Sequence, residues 1–195
     1  KKTSSLFLFA AILFASAQAS AACAVADERV CAINTQLQAY APVKVDYVEQ
    51  APSVGADTAV EYAWVAPGRQ IIRVGDTLKM DDKALAFALT HEYGRAVANH
   101  GRKLVEHVTM DYDLQLSDAA LLEKYGFHAS ACKPSLKVFN HRQVLEADAF
   151  AVAAIAKLGQ DPVAAMQAAL ASRDATAYHP AASTRVARAK ERMGT

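Results

Sequence analysis

The chain has 195 residues, of which 53% are hydrophobic and 21% charged, enough for one ordinary globular domain. Its net charge of +1 is spread along the sequence, so nothing in it offers the basic surface that a nucleic-acid binder needs. No tract is repeated or low in complexity, which excludes solenoid and disordered architectures.

At the start, Lys1 and Lys2 precede the apolar run "LFLFAAILFA" (6–15), and small residues follow at "AQA" (17–19) and "ASA" (19–21). This is the pattern of a secretory signal peptide. The run is shorter than the roughly 20 residues that span a bilayer, so a segment over 1–21 is expected to be removed. That leaves a single exported domain over 22–195, periplasmic or secreted, with no membrane span after cleavage. A lipoprotein is the lesser alternative, because "SAAC" (20–23) has the cysteine without the usual leucine. Export implies an oxidising compartment, which makes Cys23, Cys31 and Cys132 disulfide candidates. Cys23 with Cys31 closes a short loop, and either one can instead pair with Cys132. None lies in a C-x-x-C arrangement, which disfavours thiolate zinc binding.

Further along, "VCAINTQLQAYA" (30–41) has the pattern of a short amphipathic helix, and "VKVDYVE" (43–49) alternates like a strand. Two β-rich runs flank Pro67-Gly68 in "AVEYAWVAPGRQIIRVG" (59–75), which predicts a hairpin with Tyr62 and Trp64 in the core or on the sheet surface. From Asp81 or Asp82, either a fitting cap, the period becomes helical through Leu85, Ala88, Leu89, Glu92, Ala96 and Asn99, up to Gly101. Residues 105–136 look irregular apart from a short helix at 117–125, with His107 and His128 solvated. A long helix is predicted over 137–158. Asp161 caps the next one (161–172), with Pro162 at its first position, and a last helix runs from Pro180 to about Met193. The result is an α+β domain, a small hairpin-rich sheet packed on several helices.

The predicted helix from Asp81 carries "LTHEYGRAVANH" (89–100). In the pattern H-E-x-x-H, two histidines one turn apart grip a zinc ion while the glutamate acts as general base on the metal-bound water. His91 and Glu92 fit, but the second histidine is replaced by Arg95. A guanidinium stays protonated and has no lone pair to donate.

Taken together, "ALAFALTHEYGRAVANH" (84–100), "LEADAFAVAAIAKLGQDP" (145–162) and "HPAASTRVARAK" (179–190) resemble, in order and spacing, the conserved segments of metallopeptidase family 48, a gluzincin family. The resemblance implies a zincin-like fold, zinc as cofactor, and hydrolysis of a peptide or protein substrate. It makes His91 a zinc ligand, Glu92 the general base, and Asp148 the hydrogen-bond partner of a ligand histidine. It makes His179 the group that steadies the tetrahedral intermediate, with Arg185 six residues on, while His100 falls at the position of a later family histidine. Two ligand positions depart from the pattern: Arg95, and Val144 where the family has a glutamate four residues before the motif aspartate. Glu146 matches a variable acid of the motif, not the ligand.

With His91 alone, zinc lacks the three or four protein ligands it ordinarily takes. A degenerate, zinc-poor member is therefore expected. An active metalloendopeptidase with an altered ligand set, such as His91, His141 and His179, and a peptide-binding pseudopeptidase are the alternatives. Arg95, three residues from Glu92, is expected to pair with Glu92 or Asp148 and to put a fixed charge in place of the metal's, with Val144 filling space. His100 faces away from His91 and is expected to pack or cap.

Overall fold

Asp81 begins the helix around which the fold is organised. A computed structural model describes Cys23 and residues 25–49, 59–112, 134–171 and 179–194. The segment read as a signal peptide, the short helix predicted at 117–125, His128 and Cys132 lie outside the described residues.

The central helix α2 (Asp82–Val97) is capped by the Asp81 carboxylate, which accepts from the Ala84 N–H at 2.8 Å. Before it come helix α1 (Glu28–Tyr40) and strands β1 (Asp46–Glu49), β2 (Val60–Ala66) and β3 (Arg69–Val74). Helices α3 (His100–Tyr112), α4 (Pro134–Lys157), α5 (Pro162–Leu170) and α6 (Ala182–Met193) follow it. The architecture is α+β, as the sequence predicts.

The sheet has the order β1-β3-β2. β2 and β3 form the predicted antiparallel hairpin, with Gly68 at φ 72° in its turn, a left-handed conformation that favours glycine. β1 runs parallel to β3 on its other side. Alternation identifies a strand but not its neighbours, and β3 takes the middle, where Ile71, Ile72 and Val74 are all buried. Cys23 and Cys31 are disulfide-bonded, their Cα atoms 5.5 Å apart, which chooses the short loop among the pairings left open by the sequence. Arg29 then ties the start of α1 to that of α2, bonding Asp27, Asp82 and the Met80 and Thr77 carbonyls.

α2 separates two apolar clusters. Leu85, Leu89 and Tyr93 face Tyr62, Trp64 and Ile72 of the sheet and Val30 and Leu37 of α1. On the other side Phe87 meets Ala151 and Ile155 of α4, Met166 and Leu170 of α5, and Ala189 of α6. A helix buried on both sides, with residues Ala84 to Phe87 and Leu89 to Ala96 all buried, is where polar side chains are held most rigidly.

The region after α2 differs from its predicted irregularity, because α3 continues as helix to Tyr112. Asn99, at φ 53°, turns the chain between the two helices, and Val105 is buried against the core. Tertiary burial thus organises a stretch whose own pattern is weak. His107 is half-buried and stacks on Phe139 with ring centroids 4.2 Å apart, which corrects the expectation that it is solvated. At the start of α3, Gly101 donates its N–H to the Tyr62 hydroxyl at 3.2 Å. A Cβ added at Gly101 would collide with Trp64 Cβ and lie 3.0 Å from the Tyr62 hydroxyl.

Trp64 Cβ is fixed to the backbone of β2 and cannot swing aside. Gly101→Ala is therefore expected to lower stability by about 1–3 kcal/mol through overpacking. Urea denaturation checks this, and an unchanged midpoint would show that α3 does not approach β2 this closely.

Candidate functional site

His91 and Glu92 are adjacent on α2, both buried, and their side chains make different contacts. His91 Nδ1 lies 2.8 Å from Asp148 Oδ1 on α4. Asp148 also accepts from Arg185 of α6, from Nε to Oδ2 at 2.7 Å and from Nη2 to Oδ1 at 2.6 Å. Arg185 Nη2 passes 3.4 Å from His91 Nδ1 as well. His91 Nδ1 cannot donate to Asp148 and accept from Arg185 at once. The ionised carboxylate is the stronger acceptor, so Nδ1–H and the guanidinium both donate to Asp148.

Burial alone would raise the Asp148 pKa, but the bonds from Arg185 and His91 outweigh it and hold the carboxyl down at about 2. Small residues make this proximity possible, since Ala147, Ala151 and Ala154 of α4 are fully buried. The Arg185 guanidinium carbon stands 5.8 Å from the centroid of the Phe87 ring.

Glu92 turns towards the sheet. Its Oε2 accepts the Tyr62 backbone N–H of edge strand β2 at 2.9 Å and lies 3.5 Å from Arg95 Nη1. Its Oε1 is 3.9 Å from His91 Nε2. Burial raises the Glu92 pKa, yet the charges of Arg95 and His91 and the Tyr62 N–H together bring it below the ordinary carboxylate range. Arg95 is itself buried, with its guanidinium carbon 5.4 Å from the Tyr62 ring centroid. Of the two acids open to Arg95 in the sequence, it pairs with Glu92; Asp148 has Arg185 instead.

His91, Glu92, His179 and Arg185 line one open cleft, with Phe87 and Leu170 among its apolar walls. His179 has its pKa pushed down to about 4, first by burial, then by the charges of His91, Arg185 and Arg95, against a weaker opposing pull from Glu92. His100 is elsewhere: fully buried, with Nε2 3.1 Å from Glu146, which also accepts from Lys103 at 3.3 Å. It packs, as expected, and Glu146 serves that pair.

Zinc would need further donors close to His91 Nε2. Arg95 and the buried Val144 stand at the two remaining positions of the pattern, and neither has a lone pair to give. Among the described residues no three histidine, cysteine, aspartate or glutamate side chains gather as a metal-holding group, and the set of His91, His141 and His179 is not assembled. The donor set does not fit zinc. Two participants were not foreseen in these roles: Tyr62, through its N–H and its ring, and Phe87 beneath Arg185. Nothing local in the sequence signals them, because both roles depend on how β2 and α6 dock against α2.

The model of peptidase family M48 matches residues 24–193 of the chain. No curated protein and no solved structure matches it.

Asp148→Asn leaves Arg185 buried without its counter-charge and is expected to cost about 3–5 kcal/mol in urea denaturation; a loss below about 1 kcal/mol would contradict the pairing. Acid should act in two windows. His179 and His100 each fall from an ordinary 6.5 to about 4, so as pH drops between those values the unfolded chain takes up protons that the folded site refuses, and stability falls. Asp148, lowered from 3.8 to about 2, keeps its contribution above 3.8 and loses it as pH falls towards 2. Urea midpoints should therefore decline from about pH 6 downward, and His179→Gln should remove part of the first decline; a flat profile to about pH 4 would contradict this.

Proposed function

Because the chain belongs to peptidase family M48, a family of zinc metallopeptidases, we propose that it retains the family's cleft as a peptide-binding site in which Arg95 supplies a charge that metal supplies in hydrolytic members. One observation carries this reading: the buried Glu92 carboxylate has two partners, the Tyr62 N–H at 2.9 Å and Arg95 at 3.5 Å. A general base must be within reach of a water proton and keep its lone pairs for it. Here Oε2 is committed to strand β2 and to a cation, which leaves Oε1, 3.9 Å from His91 Nε2, facing a site without the ligands that would hold a metal-bound water.

The second missing ligand is consistent with this assignment. With Arg95 compensating Glu92 and Arg185 compensating Asp148, a further glutamate at position 144 would add a buried carboxylate with no cation of its own. Val144 adds none. His91 keeps its bond to Asp148 and His179 remains in the cleft, so the walls that would hold a peptide persist. Edge strand β2 borders Glu92, and the part of its edge beyond the Tyr62 N–H that Glu92 takes is where an extended peptide or protein segment would add as a further strand. We assign the mature domain to the periplasm or the exterior, after removal of a signal peptide over 1–21. The Cys23–Cys31 disulfide supports that compartment.

Metal content tests the reading. The purified protein is expected to carry far less than one zinc per chain by mass spectrometry, and to leave casein intact with or without a chelator. Near-stoichiometric zinc with chelator-sensitive cleavage would overturn it in favour of a working peptidase. Arg95→His combined with Val144→Glu is expected to restore zinc binding, while either change alone is not.

A further inference from the structure

Gly94 is buried in the interior of α2, on the turn that follows His91. Glycine is a poor residue for a helix interior, because it loses more chain freedom on ordering than alanine does and packs no side chain. Gly68, Gly159 and Gly194 have the positive φ values that favour glycine, and Gly94 does not. Its reason is therefore space. A Cβ at Gly94 would lie 2.9 Å from Phe150 Cδ1 and 3.1 Å from both Cβ and Cγ of that residue on α4. Carbon atoms pack best at about 3.5–4.0 Å, so all three contacts are too close.

Phe150 has little room to yield. Its Cβ is fixed to the α4 backbone, and its ring packs on Tyr40 and Tyr93, with centroids 5.6 and 6.2 Å away. A methyl group at position 94 must therefore push α4 itself off α2. Two residues before Phe150, Asp148 accepts from His91 Nδ1 at 2.8 Å across the same pair of helices. Asp148 also accepts two hydrogen bonds from Arg185, so a carboxylate carried away with α4 keeps its paired bonds to α6 and gives up the single one to α2.

We propose that Gly94 is a positioning residue for His91. By carrying no Cβ, it lets α4 come close enough for Asp148 to fix the imidazole that lines the cleft. The assignment concerns the orientation of His91 and holds whatever the cleft binds.

The test is proton–nitrogen NMR of the full chain, isotopically labelled at histidine nitrogen. The His91 Nδ1–H donated to Asp148 should give a low-field signal protected from solvent, assigned by its absence in His91→Gln. Gly94→Ala is expected to lose this signal or to speed its exchange with solvent at least about tenfold. Phe150→Ala, which removes Cγ and Cδ1 without altering His91 or Asp148, is expected to keep it. Combining the two changes takes away the closest contact and should restore the signal, which decides the matter even where Gly94→Ala alone does not fold. An unchanged signal in Gly94→Ala would overturn the proposal, because the glycine would then serve stability alone. So would a double variant that lacks the signal, or a Phe150→Ala that loses it unaided.

Discussion

A carboxylate buried in a domain interior stays ionised only where cations and N–H donors compensate it, and this constraint organises the site. Glu92 and Asp148 sit in the interior around α2. Asp148 is held by Arg185 through two hydrogen bonds, with His91 as a third donor. Glu92 is held by the Tyr62 N–H and by Arg95. Each arginine comes from a different part of the chain, Arg185 from α6 and Arg95 from the same helix as its partner. Docking α6 and β2 onto α2 is therefore an electrostatic requirement as well as an apolar one.

The same constraint gives Arg95 a physical meaning. It is not a mimic of a metal in coordination, since a guanidinium accepts no lone pair. It acts on the far oxygen of Glu92, while the other oxygen stands 3.9 Å from His91. What it supplies is charge. Through the same oxygen the Glu92 carboxylate links the central helix to the edge of the sheet. In that arrangement the buried Val144 adds no further carboxylate that would need a cation.

Much of this was legible in the sequence, and the limits have physical causes. Asp81 and Asp161 mark helix starts because a short carboxylate satisfies N–H groups that have no helical partner, and both caps form. The hairpin at Pro67-Gly68 was legible from turn chemistry. Spacing also separated Glu146 from the site, since two residues of helix turn a side chain to another face. The parallel pairing of β1 with β3 was not legible, because alternation carries no information about neighbours. α3 beyond residue 105 and the stacking of His107 on Phe139 depend on burial by distant segments. Within the site, residue types named Glu92, Asp148, Arg95 and Arg185 but left the pairing open. Only the approach of Tyr62 to Glu92 and of Arg185 to Asp148 resolves which cation serves which acid.

The charge replacement at Glu92 is tested most directly by a double-mutant cycle of Glu92→Gln and Arg95→Met, read by urea denaturation with a chelator present. If Arg95 compensates the buried carboxylate, each single change leaves a charge unpaired and the double change relieves both, giving a coupling of about 1–3 kcal/mol. Effects that add to within a few tenths of a kcal/mol would mean that the two side chains are neighbours without being partners.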